Sequence, residues 1–124
     1  MRRDENVIVR KSKEFALRII RLYRNLSEKK REFVLSRQLL RSGTSIGANI
    51  REAQRGLSTN DFISKLQIAQ KEADESSYWL ELLHESEYLT DEEFQDVYDQ
   101  AQELLRILAS IIISSKCPKP PKNS

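Results

Sequence analysis

No proline occurs in residues 1–117; the chain's three prolines stand at 118, 120 and 121, and its only glycines are Gly43, Gly47 and Gly56. Proline and glycine are the residues that most readily end a helix, so a stretch almost free of both can run in long helices. The expected fold is all-α. Of the 124 residues, 39% are hydrophobic and 32% charged, a water-soluble composition of about one domain's length. No purely apolar run exceeds three residues, as in Ile111-Ile112-Ile113, far short of the ~20 residues needed to span a membrane. The N-terminal Met1-Arg2-Arg3-Asp4-Glu5 leads into no signal-like apolar stretch. A cytoplasmic protein without a membrane partner is expected. A single cysteine, Cys117, excludes an internal disulfide and a multi-cysteine zinc site, and a single histidine, His84, excludes a multi-histidine metal centre.

Four stretches carry apolar residues at three- and four-residue spacing. In the first, residues 8–26, the stripe is Ile8, Ser12, Phe15, Ala16, Ile19, Leu22, Tyr23 and Leu26, with Arg10, Lys11, Lys13, Arg18, Arg21 and Arg24 on the other side. Ser27 to Glu32 has no apolar residue and is predicted to be a connection. The second helix presents Leu35, Leu39, Gly43, Ile46, Ile50 and Ala53 and is expected to stop near Gly56 in the left-handed conformation. Ser58 to Asp61 offers N-caps for a third helix running to about Ser86, with Phe62, Leu66, Ala69, Ala73, Ser76, Leu80 and Leu83 inward. Thr90-Asp91-Glu92-Glu93 matches a capping box. It opens a fourth helix with Phe94, Val97, Ala101, Leu104, Leu105, Leu108, Ile111 and Ile112 on its core face. The whole predicts an antiparallel up-down-up-down four-helix bundle over residues 1–115, followed by a disordered basic tail at 116–124.

Charge is distributed unevenly. Residues 1–41 carry net +8 and residues 61–115 carry net −10, although the whole chain is only +2. The first half can form a basic surface for phosphates, or acidic and basic helices can neutralise each other side by side. Ile68, Trp79 and Leu82 on the third helix, and Ile107 and Ile113 on the fourth, widen the apolar faces. They suit a subunit interface or a broad core stripe.

The second helix has an unusual polar edge, Gln38, Ser42, Ser45 and Asn49, able to hydrogen-bond to a neighbouring helix. Gly43 and Gly47 cost about 1 kcal/mol each against alanine, which makes sense where a backbone or ligand approaches closely. Opposite them project Arg37, Arg41, Arg51 and Arg55, with only Thr44 and Ala48 between. Such a row suits phosphate contacts, or equally a solvated face or partners for an acidic helix.

The string Arg41-Ser42-Gly43-Thr44-Ser45-Ile46-Gly47-Ala48-Asn49-Ile50-Arg51-Glu52 resembles the bacterial 23S rRNA intervening-sequence protein family. Asp61-Phe62, Leu66, Ile68-Ala69, Glu75-Ser76, Trp79-Leu80 and Leu82-Leu83 extend the likeness over roughly residues 10–115. One departure is Ala53 after Glu52, where the family often has glycine, and it bears on where the helix ends. The resemblance implies a four-helix bundle, assembled in relatives as a ring-shaped pentamer. Genes of the family lie within sequences that interrupt 23S rRNA genes and elsewhere in bacterial genomes. A distant branch comprises retroelement accessory proteins that bind a reverse transcriptase and nucleic acid.

Enzyme signatures are missing. No arginine precedes His84 at the spacing of helical ribonucleases, Cys117 sits in the Pro/Lys tail, and Glu72/Glu75 and Asp91/Glu92/Glu93 lack the Glu-x-x-His pattern of di-iron bundles. There is no P-loop or dinucleotide fingerprint. The sequence thus predicts a non-enzymatic homo-oligomer with no cofactor or metal. It would bind RNA or DNA phosphates through Arg18, Arg21, Arg37, Arg41, Arg51 and Arg55, and assemble through Ile68, Trp79, Leu82 and Ile107. The alternative is a protein-binding assembly module, whose acidic second half docks a basic partner such as a reverse transcriptase.

Overall fold

The structure is a computed structural model and describes residues 3–116, with side-chain surroundings from residue 5 onward. Among these residues there are four α-helices and no strand: α1 (Arg3–Arg24), α2 (Leu35–Gln54), α3 (Thr59–Glu85) and α4 (Asp91–Lys116). They pack as a four-helix bundle in which each helix lies against its sequence neighbours and α1 closes against α4. Contacts along the seams run in opposite order. Ser42 and Glu52 of α2 meet Ser76 and Lys65 of α3, and Ser77 and Glu81 of α3 meet Gln102 and Tyr98 of α4. The expected tail from residue 117 lies outside the described residues, whereas Lys116, placed by sequence in that tail, closes α4.

The buried core is an unbroken cluster that includes Phe15, Ile19, Leu39, Ile46, Leu66, Leu80, Leu83, Leu104 and Leu108. Burial of these faces is what holds each amphipathic helix in place, since in proteins most helical stability comes from packing of the apolar face. Helix α1 starts at Arg3, ahead of the apolar stripe that begins at Ile8. The stripe records where the helix is covered, not where it is helical. At its far end α1 widens into a π-helical turn, Asn25–Lys29, which keeps Leu26 fully buried.

The connection expected at Ser27 to Glu32 ends in a structural residue that its polar composition concealed. Glu32 is buried, and its carboxylate accepts the N–H groups of Val34 at 3.2 Å, Leu35 at 3.0 Å and Ser36 at 2.7 Å. The Ser36 hydroxyl donates back to the Glu32 carbonyl at 2.8 Å. These bonds satisfy the N–H groups that the first turn of α2 leaves without helical partners. Burial pushes the Glu32 carboxyl up, but the N–H groups of Ser36, Leu35 and Val34 outweigh it and hold the group below its ordinary value. Just before it, Arg31 takes a left-handed backbone conformation at φ 58°.

Gly56 departs from expectation, because no glycine among the described residues has positive φ. Helix α2 ends at Gln54 and Arg55. Space there is tight: a Cβ on Gly56 would lie 3.1 Å from the Ala53 carbonyl oxygen and 3.2 Å from the Asp61 Cβ. The left-handed position falls instead at Glu87, φ 70°, after α3, where Tyr88 and Leu89 both donate to the Leu83 carbonyl. This turn buries Leu89, a core residue outside every helical stripe. Thr90 and Glu93 then exchange side-chain-to-backbone bonds at 2.9 and 3.1 Å and open α4.

The two helical glycines are not equivalent. A Cβ on Gly43 would come 2.9 Å from Ile19 Cγ1, whereas one on Gly47 would rest 3.4 Å from Ser12 Oγ, an ordinary contact. Gly43→Ala is expected to cost about 1–3 kcal/mol because fully buried Ile19 cannot withdraw. Gly47→Ala should be neutral or stabilising by up to about 1 kcal/mol. Urea denaturation of both variants checks the difference.

Glu32→Ala is expected to cost about 1–2 kcal/mol at neutral pH. A lowered carboxyl value makes this contribution complete above the unfolded value, about 4.3. It is lost as pH falls through the lower folded value, so the gap between variant and wild type should close in acid. A pH series of denaturation midpoints measures it.

Candidate functional site

Close approach at Gly47 sets α1 and α2 side by side and leaves an open groove of about 420 Å³ between them. Small side chains, Ser12 and Ala16 of α1 and Ala48 of α2, line it together with Gly47, and Lys13, Arg51 and Arg55 stand around it. Among the described residues none of these three cations has an ion-pair partner, and all three are exposed. The one carboxylate lining the groove, Glu52, lies 3.0 Å from Lys65 of α3. The groove is therefore a cationic, small-residue surface suited to an extended anion.

The six arginines singled out by sequence do not share one surface. Arg51 and Arg55 border the groove. Arg41, on the same outer row of α2, turns the other way to α3, with its guanidinium 3.2 Å from Glu72 and 2.6 Å from Glu75. The hydrogen bond to Glu75 and the fields of both carboxylates raise its already high pKa. Arg37 is exposed at the opposite end of the row. Arg18 is on the α4 side of α1, 2.7 Å from Asp96, and Arg21 borders the same seam. That second cleft, about 370 Å³, alternates Lys11, Glu14, Arg18, Arg21 and Glu103, with Lys11 only 2.9 Å from Glu103. A row seen as continuous in sequence is divided because side chains from the same helix edge reach different neighbours.

The polar edge of α2 also divides. Ser42 meets the Ser76 hydroxyl at 2.8 Å in the buried α2–α3 seam. Ser45 and Asn49 instead donate to carbonyls of their own helix, those of Arg41 and Ser45, and Gln38 is exposed. Sequence reasoning overlooked the companion bond in the next seam, from Gln102 to buried Ser77 at 3.1 Å.

Of the four interface candidates, Ile68 is 38% exposed, while Trp79 and Ile107 pack against the bundle's own core and Leu82 is half-buried. Trp79 Nε1 is buried without an acceptor. Ile113 is largely exposed, as are three residues sequence reasoning passed over, Val34, Leu57 and Tyr78. His84 places Nε2 2.7 Å from Asp91 and stacks on Phe94, which stacks on Tyr98. No hydroxyl or thiol hydrogen-bonds to this imidazole among the described residues. The same residues contain no His, Cys, Asp or Glu group able to hold a metal, and no helix long and apolar enough to cross a membrane.

Residues 4–110 match the family described as 23S rRNA-intervening sequence protein. The chain belongs to that family. It is also similar to a crystal structure from Bacteroides thetaiotaomicron VPI-5482, described as a protein with unknown function from the S23 ribosomal protein family. The two share 53% identity and a TM-score of 0.88 over 89% of this chain and 98% of the other. No curated protein matches. In this family member the groove cation that sequence reasoning missed is Lys13. Its position on the polar side of α1 gave no sign that it shares a groove with Arg51 and Arg55, since only the helix–helix approach brings them together.

Proposed function

We propose that this 23S rRNA-intervening sequence protein is a non-enzymatic, self-assembling bundle that holds the phosphate backbone of RNA along the α1–α2 groove. The observation that carries this reading is the set of three cations, Lys13, Arg51 and Arg55, without an ion-pair partner among the described residues, around one open groove lined by small residues. Guanidinium and ammonium groups free of carboxylates can exchange condensed counterions for phosphates, and the small residues let a backbone approach closely. Contacts of this kind position a strand without reading bases, so sequence preference is weak. Arg18 and Arg41 contribute less, because each already has a carboxylate within 3 Å.

Arg51→Ala combined with Arg55→Ala should weaken RNA binding and lower the slope of log K against log salt by about 1.5. Arg41→Ala should leave affinity within about twofold, because its charge is already matched. Fluorescence anisotropy titrations across a salt series decide between them. Equal losses in the two variants would remove the groove from the reading.

Self-assembly, expected as a pentamer from the family likeness, is assigned to the outer edge of α3. There Ile68 is exposed and Leu82 half-buried, on the edge that also carries Glu72 and Glu75. Ile68→Glu should reduce the mass seen by light scattering to that of a single chain while helicity is retained. An unchanged mass would place the interface elsewhere.

A further inference from the structure

The turn between α1 and α2 carries a second feature that the groove does not use. Phe33 is 44% exposed and Val34 72% exposed, and neither belongs to the buried core. An isolated exposed apolar residue is ordinary, but this aromatic is held in place. The Glu32 N–H donates to the Leu26 carbonyl at 2.9 Å, and the Glu32 carboxylate binds three N–H groups immediately after Phe33. On the other side of Glu32, Arg31 adopts its left-handed conformation and lays its guanidinium carbon 5.4 Å from the centre of the Phe33 ring. A non-glycine residue in that conformation carries a backbone cost, and here the result is an exposed ring with a planar cation beside it.

The charge around this ring is directional. Arg24, Lys29, Arg31 and Arg37 are exposed and have no ion-pair partner among the described residues. Lys30 is spent on the α3–α4 turn, where it donates to the Tyr88 carbonyl and lies 3.6 Å from Glu93. The acidic groups at this end, Glu85, Glu87, Asp91 and Glu92, belong to α3, α4 and the turn between them. At this end, among the described residues, the α1–α2 side exposes one carboxylate, Glu28; Glu14 and Glu52, also exposed, lie further along the helices, beside Arg10 and Lys65. A polyanion is thus favoured on the α1–α2 side and repelled from the α3–α4 side. The N-terminal amides of α2 are not the attracting group, because Glu32 already occupies them.

We infer that Phe33, flanked by Arg31, is a stacking platform for an unpaired base of a single-stranded nucleic acid. The inference rests on the proposed binding of nucleic acid; the groove cations Arg51 and Arg55 lie towards the other end of α2, about 25–30 Å away at 1.5 Å per residue. An aromatic ring with neighbouring cations is the combination that holds single strands with little regard to base identity. A duplex cannot use it, because its bases are already stacked. The protein therefore discriminates single strands from duplexes through the turn, while the groove contributes to both.

Anisotropy of the full chain with labelled oligo-U RNA of about 12 nucleotides, oligo-dT of the same length and a blunt RNA duplex tests the assignment. Phe33→Ala should weaken both single strands about tenfold and leave the duplex and the salt slope unchanged. Phe33→Trp should restore affinity, with quenching of fluorescence on oligo-U beyond that of wild type. Thermal melting should show Phe33→Ala folded like wild type, since the side chain lies outside the core. Binding of single strands by Phe33→Ala within twofold of wild type overturns the platform, as does an equal loss on the duplex or a loss confined to one sugar. If Arg51→Ala/Arg55→Ala loses binding and Phe33→Ala does not, the platform fails and the groove stands. The reverse pattern removes the groove and leaves the platform.

Discussion

Helices α1 and α2 can lie as close as they do because Gly43 presents no side chain to Ile19, where a Cβ would come within 2.9 Å. That approach has two consequences. It completes one wall of the core around fully buried Ile19 and Ile46, and it leaves a channel lined with small residues on the outside. Lys13 from one helix and Arg51 and Arg55 from the other stand around that channel only because the separation is small. A bulky residue at Gly43 would press on the core first and displace the groove with it.

The uneven charge along the chain is resolved seam by seam. Basic α1 lies against acidic α4, where Lys11 meets Glu103 and Arg18 meets Asp96, and α2 lies against α3, where Arg41 meets Glu72 and Glu75. These pairs are partly exposed, so each contributes little to stability, but they decide which cations remain available to a ligand. Between α1 and α2 both helices are net basic, and among the described residues Lys13, Arg51 and Arg55 form no ion pair there. The groove and the cationic side of the α1–α2 turn are what remains after pairing. Neutralisation and a basic surface, alternatives when charge is counted along the sequence, coexist on different seams.

Legibility in the sequence followed the physical range of each determinant. The inward stripes were readable because helical periodicity is local, and almost every residue that sequence placed inward on α3 and α4 is buried. The Thr90–Glu93 cap was readable for the same reason, as its two members are three residues apart. Glu32 was not, because a carboxylate in a polar run resembles solvent-facing charge until the chain turns to bring three amides onto it. Leu89 was missed because it is buried by a turn and has no helical period. Of the candidate phosphate-binding residues, Arg51 and Arg55 could be named from the helix row, but Lys13 and the diversion of Arg41 and Arg18 depend on neighbouring helices.

By itself, the sequence determined that this chain forms four long amphipathic helices, which residues face inward, and that it belongs with the 23S rRNA-intervening sequence proteins, because periodicity, caps and the Arg41–Glu52 string are properties of neighbouring residues. Tertiary structure alone decided which charges cancel, where the chain is tightest and which cations stay free. Those outcomes depend on which helices become neighbours: α1 against acidic α4 and α2 against acidic α3 form ion pairs, whereas α1 against α2, packed closely at Gly43, leaves an open cationic groove.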